Sequence, residues 1–290
     1  MGRRGGFWRA ATGWLAALAL LVACGGGVGT GGTGAFASGP ITGFGSIIVD
    51  GIHFDDSAAR IEGDDGSGRS RGELRLGTMV EVDSDPIVAG AARALRVRIV
   101  SALAGRVDSV AADHLVVNGL TVRVNGGTVF DDDFVGGIAG IATGRVVEVN
   151  GYVGAAEIVA TRIEPDDDAE SFKFLGTVVA LDTSARTFEL GGQPFSYPSA
   201  VGGVGELRNG AFVRVVVGVA RDGQGRWVVQ AIGGTGQGGD RDQAKARGVI
   251  TAFTSVASFA VGGINVDASA ARIEGGPLAA GLRVEVEGRL

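Results

Sequence analysis

The chain has 290 residues, with 26 basic and 32 acidic side chains, a formal net charge of −6 and 6% aromatics. A nucleic-acid binder is expected to carry a basic stripe, often interleaved with stacking aromatics. A grip on anionic lipid needs clustered Lys and Arg. This composition offers neither, so both classes are excluded as expectations.

The N-terminus carries the most specific signal. Arg3, Arg4 and Arg9 precede an uncharged Ala- and Leu-rich stretch, residues 10–23, which ends in Leu21-Val22-Ala23 before Cys24. A basic start, a short apolar core and small residues at the cut make a secretory signal peptide over residues 1–23. The apolar core is shorter than the roughly 20 residues that a membrane span needs. A cut before this single cysteine resembles the lipobox of bacterial lipoproteins. That resemblance implies a diacylglycerol on Cys24, a further acyl chain on the new N-terminus, and the lipid bilayer as a partner. Two or three acyl chains anchor stably where one is marginal. Gly25 after the cysteine fits outer-membrane sorting facing the periplasm. With Cys24 acylated, no thiol remains for disulfide or thiolate chemistry. Loss of the three signal arginines takes the net charge to about −9. Residues 24–38, rich in glycine, read as a flexible tether with a reach of about 20 Å.

From residue 39 onward three signals recur in fixed order, which marks an internal repeat. The first is a strand opener, seen at Gly39-Pro40-Ile41, Gly105-Arg106-Val107, Gly176-Thr177-Val178 and Gly248-Val249-Ile250. The second is a tight hairpin across Asp50-Gly51, Asn118-Gly119, Gly191-Gly192 and Gly262-Gly263. These pairs suit a type I′ turn, which needs positive φ at both central residues. The register then sets Val49 against Ile52 and Ile47 against Phe54 on one face, with Leu115, Val117, Leu120 and Val122 repeating the arrangement. The third is an apolar residue, then Gly-x-x-Val-x-Val, with glycines at 77, 144, 210 and 281. A closing strand follows in three copies, near residues 95–99, 158–163 and 227–232. The fourth copy has none. Either its edge is kept open or the sequence stops short. The octamer at 56–63, Asp-Ser-Ala-Ala-Arg-Ile-Glu-Gly, nearly recurs at 268–275.

The expected fold is therefore all-β: tandem small antiparallel barrel-like modules of OB or SH3 size. Their expected bounds are 39–102, 103–172 and 173–233, then a linker at 234–244 and a shortened module at 245–290. The Gly-Pro-Ile-Thr-Gly-Phe-Gly-Ser opener at 39–46, the hairpin dipeptides and the Gly-x-x-Val-Glu-Val strands resemble the bacterial domain-of-unknown-function 5666 family. That family occurs as tandem copies in envelope proteins. The resemblance implies no catalytic residues.

The positions that recur are those a barrel needs for turns and core, and no Ser, His or Asp recurs at a shared site. Glu81, Glu148 and Glu285 sit between paired valines and are expected to form exposed ion pairs, the first two with Arg98 and Arg162. The runs Asp55-Asp56, Asp64-Asp65, Asp131–Asp133 and Asp166–Asp168 read as solvated loops, with weak calcium binding as the competing reading. His53 and His114 stand apart, too few for a zinc site or a triad. Trp227, Tyr152 and Tyr197 read as core, with a sugar-binding face as the alternative. No catalytic, cofactor or metal residues are assigned, and an enzyme is not expected. The expectation is a lipid-anchored envelope module that binds a protein partner or itself through the open edge of module four. The alternative is a periplasmic small-ligand or glycan binder.

Overall fold

The computed structural model describes residues 34–234 and 241–289. The signal peptide, Cys24 and the tether up to residue 33 lie outside the described residues, as do linker residues 235–240. Within the described residues the chain is all-β, helical only in three short 3-10 turns. In module one the opener is β1 (Ala35–Gly43), and the hairpin is β2 (Ile47–Val49) with β3 (Ile52–Asp55). A short β4 (Arg60–Gly63), β5 (Met79–Ser84) on the third signal and the closing β6 (Ala91–Ile99) complete it. Module two repeats this order as β7 (Leu103–Val110), β8 (His114–Val117), β9 (Leu120–Arg123), β10 (Val129–Phe130), β11 (Val146–Val153) and β12 (Glu157–Pro165). Module three breaks its opener into β13 (Ser171–Thr177) and β14 (Val179–Asp182). It continues as β15 (Thr187–Leu190), β16 (Gln193–Ser196), β17 (Phe212–Arg221) and β18 (Trp227–Gly234). Module four has β19 (Gln243–Ser255), β20 (Ser258–Val261), β21 (Ile264–Asp267) and β22 (Arg283–Gly288).

The hairpin turns have the backbone that their residues dictate. Asp50 and Gly51 lie at φ 53° and 77°, and Asn118 and Gly119 at 48° and 83°. The expected register follows, with Val49 opposite Ile52 and Ile47 opposite Phe54. All four side chains are buried, as are Leu115, Val117, Leu120 and Val122.

Each of the first three modules closes into a five-stranded barrel. The opener pairs with the hairpin on one side and with the third-signal strand on the other. That strand pairs with the closing strand. The closing strand then meets the far hairpin strand, and this seam is parallel: β3 with β6, β9 with β12, β16 with β18. The all-antiparallel expectation fails at this seam for a topological reason. An odd number of staves cannot close with every pair antiparallel.

The barrels also join one another. β1 runs parallel to β19 from Ala35↔Gln243 to Ser38↔Ala246, linking modules one and four. β7 and β13 pair at Leu103↔Phe174, linking modules two and three. This corrects two expected boundaries. Ala35 to Ser38, assigned to the tether, are strand, with Ala35, Phe36 and Ala37 buried; Gln243 and Ala244, assigned to the linker, open β19. Pairing on both sides of β1 outweighs the local glycine content that suggested coil. Modules one and two touch at Gly77 (φ 82°), where an added β-carbon would collide with the Thr161 carbonyl. The Thr161 hydroxyl donates to the Gly77 carbonyl at 2.6 Å, and the Met79 amide donates to Asn150 Oδ1 at 2.9 Å.

Candidate functional site

Module four is a barrel with one stave absent among the described residues. β19 pairs with β20 and β22, and β20 pairs with β21. The outer edges of β21 and β22, which a closing strand bridges in the other modules, face each other across a gap. Beside it lies a groove of about 1170 Å³, lined by apolar residues such as Phe259 and Val284 and by charged ones from modules three and four, among them Glu206, Arg208, Arg272 and Glu274. In module one the equivalent valines, Val80 and Val82, are fully buried; Val284 and Val286 are only half-buried. The twin octamers show the consequence locally. Arg60–Gly63 forms β4 because it lies parallel to β6, with Ile61 opposite Val97 and Glu62 opposite Arg98. Residues 272–275 carry the same Arg-Ile-Glu-Gly but have no strand to pair with, and they form exposed coil with Ile273 at 43% exposure.

The charged positions behave differently from the sequence expectation. Glu81 does lie opposite Arg98 and binds it at 2.9 Å, but both are largely covered rather than exposed. Burial pushes the Glu81 carboxyl up, and Arg98 opposes that shift. Glu148 does not pair with Arg162. The register sets Glu148 against Glu164 and Arg162 against Asn150, and Arg162 binds Asp131 and Glu164 instead. Glu148 approaches Lys173 at 3.9 Å. Glu285 is held by Arg247 and by Lys245 at 2.9 Å, and the hydrogen bond from Lys245, then that from Arg247, draws its carboxyl below the usual range. Asp50, from the first hairpin turn, joins this group. It is buried 2.6 Å from the Arg247 guanidinium, and neither of its oxygens is in good hydrogen-bond geometry. Burial raises its pKa.

The aspartate runs are not simply solvated. Each sends one carboxylate to a cation: Asp56 to Arg71 at 2.5 Å, Asp64 to Lys173 at 3.1 Å, Asp131 to Arg162, and Asp167 to Arg145 at 2.6 Å. Among the described residues no three His, Cys, Asp or Glu side chains gather to hold a metal ion. His53 is exposed, 3.3 Å from the Ser46 hydroxyl, and His114 contacts Asp113 at 2.8 Å. Trp227, Tyr152 and Tyr197 are all buried, and Trp227 packs against Phe172 and Phe174, so these aromatics are core.

Asp166 gives a pH signature. Burial, then the nearby Glu148 charge, pushes its pKa up to about 6. A carboxyl raised on folding stabilises the protonated state. Its contribution is full below the ordinary value of about 4 and is lost as pH rises through about 6. Asp166 is half-buried, so solvent screening reduces the effect to about 1 kcal/mol. Asp166→Asn is expected to match the parent below pH 4 and to exceed it by about that amount at pH 7. Urea unfolding at the two pH values checks this, and an equal difference at both removes the assignment.

No curated protein matches this chain. A family model described as Domain of unknown function (DUF5666) matches residues 104–164 and 247–290. The first segment runs from the opener to the closing strand of module two, and the second spans nearly all of module four, the opener, hairpin and third-signal strand included. The chain therefore carries tandem copies of the DUF5666 domain.

Proposed function

We propose that this chain is an exported, lipid-anchored protein of the bacterial envelope whose role is non-catalytic, a structural or protein-interaction module. The observation that carries the reading is that the positions shared by the modules are turn and core positions, while no Ser, His or Asp recurs at a shared site. The basic, apolar, small-residue order ahead of Cys24 supports export and anchoring, and a Cys24→Ser change is expected to release the protein from the membrane fraction.

A photo-crosslinking residue at Glu287 in intact cells tests the reading. The expected result is a discrete adduct with another envelope protein. Failure to form any adduct overturns the interaction role. If no adduct forms while cell-wall fragments raise the melting temperature, ligand binding replaces it, because a ligand specific for the native state must stabilise it.

A further inference from the structure

The connection between β5 and β6, Asp85 to Gly90, lies at the corner where β1 begins. β1 and β5 pair antiparallel with Ala35 opposite Ser84. An added β-carbon on Gly34 would collide with the Ser84 carbonyl. On its other side Ala35 stands opposite Gln243 of β19. The Gln243 side chain reaches the connection itself, where its Oε1 accepts from the Ile87 amide at 2.7 Å. Ten chain steps separate Cys24 from Gly34, which limits their distance to about 35 Å. The start of β1, the start of β19 and the β5–β6 connection therefore form the part of modules one and four that stands nearest the proposed anchor.

The tip of this connection is a two-residue turn. The Val88 amide donates to the Ala91 carbonyl at 2.9 Å and the Ala91 amide to the Val88 carbonyl at 3.0 Å. Ala89 lies at φ 51° and Gly90 at φ 78°. Asn, Asp or Gly suit the first of these two positions, as Asp50 and Asn118 do in their turns, and an apolar residue with a β-carbon is disfavoured there. Alanine holds it nonetheless. From Pro86 to Ala92 no side chain carries a charge or a hydrogen-bonding group. Ile87 packs inward against the core of module one, whereas Val88 is 72% exposed and Pro86, Ala89 and Ala91 are exposed beside it. The flanking charges, Asp85 and Arg93, neutralise each other at 2.9 Å. The barrel does not require an apolar tip here. The same connection in module three runs from Asp222 to Arg226 and is closed by an ion pair between those two residues at 2.9 Å.

Resting on the lipid-anchor reading above, we infer that this tip, Val88 and Ala89 with Pro86 and Ala91 beside them, rests in the surface layer of the lipid bilayer. An exposed apolar patch with neutral flanks suits that partner and needs no basic cluster, which this chain lacks. One valine and its small neighbours bury too little apolar surface to hold a protein on a membrane. Beside an acyl anchor the tip meets lipid at a high effective concentration, so a weak contact suffices. The contact sets an orientation. The starts of β1 and β19 face the membrane, and the β19–β20 turn, at the other end of β19, where Val256 is 55% exposed, faces away.

The test places a photoreactive residue at Val88 or, separately, at Val256 of the full chain in isolated membranes, with adducts identified by mass spectrometry. Val88 is expected to give lipid adducts and Val256 none. A second variant separates contact from folding. With the photoreactive residue at Ala91, the changes Val88→Asp and Ala89→Asn are expected to abolish the lipid adducts. The melting temperature is expected to stay at or above the parent value, because Asn suits the first turn position. Membrane fractionation of the parent and of Cys24→Ser accompanies both. If the parent is anchored through Cys24 but Val88 gives no lipid adduct, gives only protein adducts, or reacts with lipid no more than Val256, the contact is overturned and the anchor stands. An Ala91 signal unchanged by the polar tip overturns it equally. If the parent is absent from the membrane fraction, anchor and contact fall together.

Discussion

Phe174→Ala is expected to cost about 3–5 kcal/mol of unfolding free energy, the range for emptying a fully buried aromatic site. Phe174 has no solvent exposure. Its ring meets Phe195 edge-on at 5.0 Å and Trp227 at 5.5 Å. Its backbone sits where two modules join, opposite Val215 of its own barrel and opposite Leu103 of module two. The cores of modules two and three are one continuous cluster through this point. A cavity here cannot collapse cheaply, because the walls are strands fixed by ladders on both sides. Phe174→Leu, which keeps most of the volume, is expected to cost less than about 1.5 kcal/mol. Urea unfolding checks both, as a lowered midpoint at unchanged slope. A loss below 1 kcal/mol for the alanine variant would mean that the two barrels are not coupled through this ring.

What was legible in the sequence is what each module repeats. The Asp-Gly, Asn-Gly and Gly-Gly turns fix their own backbone, and a fixed turn fixes the faces of both flanking strands. The buried set from Ile47 to Phe54 could therefore be read without a structure. Interactions between modules were not legible, because they do not repeat. Asp64 has Gly276 at its counterpart in module four, and Asp50 has Asn118 and glycines at its counterparts. Each copy sits in different surroundings, so a comparison of copies discounts the residues that join them. The Glu148 pairing failed for a related reason. The register sets Glu148 against Glu164, two residues past Arg162, because the β11–β12 connection is shorter than the β5–β6 connection, which an alignment of the recurring signals does not show.

Asp64→Ala is expected to be the most damaging change at a charged position, at about 2–4 kcal/mol. The Asp64 side chain is only 2% exposed and leaves module one to meet Lys173 at 3.1 Å and Arg214 at 3.6 Å, both on module three. Lys173 also donates to the buried Ser101 hydroxyl at 2.8 Å, at the passage between modules one and two. Removing the carboxylate leaves Arg214 without this counter-charge and Lys173 with only the more distant Glu148 at 3.9 Å, both cations mostly shielded from water. Breaking a buried pair from one side costs several kcal/mol because the remaining charge stays desolvated. Lys173 and Arg214 keep some contact with solvent, which sets the expectation below the upper end of that range. Changing Lys173 to Met in the same background is expected to recover part of the loss, since it removes one stranded charge while keeping the side-chain length. The double-mutant cycle should give a coupling above 1 kcal/mol. If the two substitutions are additive, Asp64 does not act through Lys173, and the link between modules one and three rests on backbone packing alone.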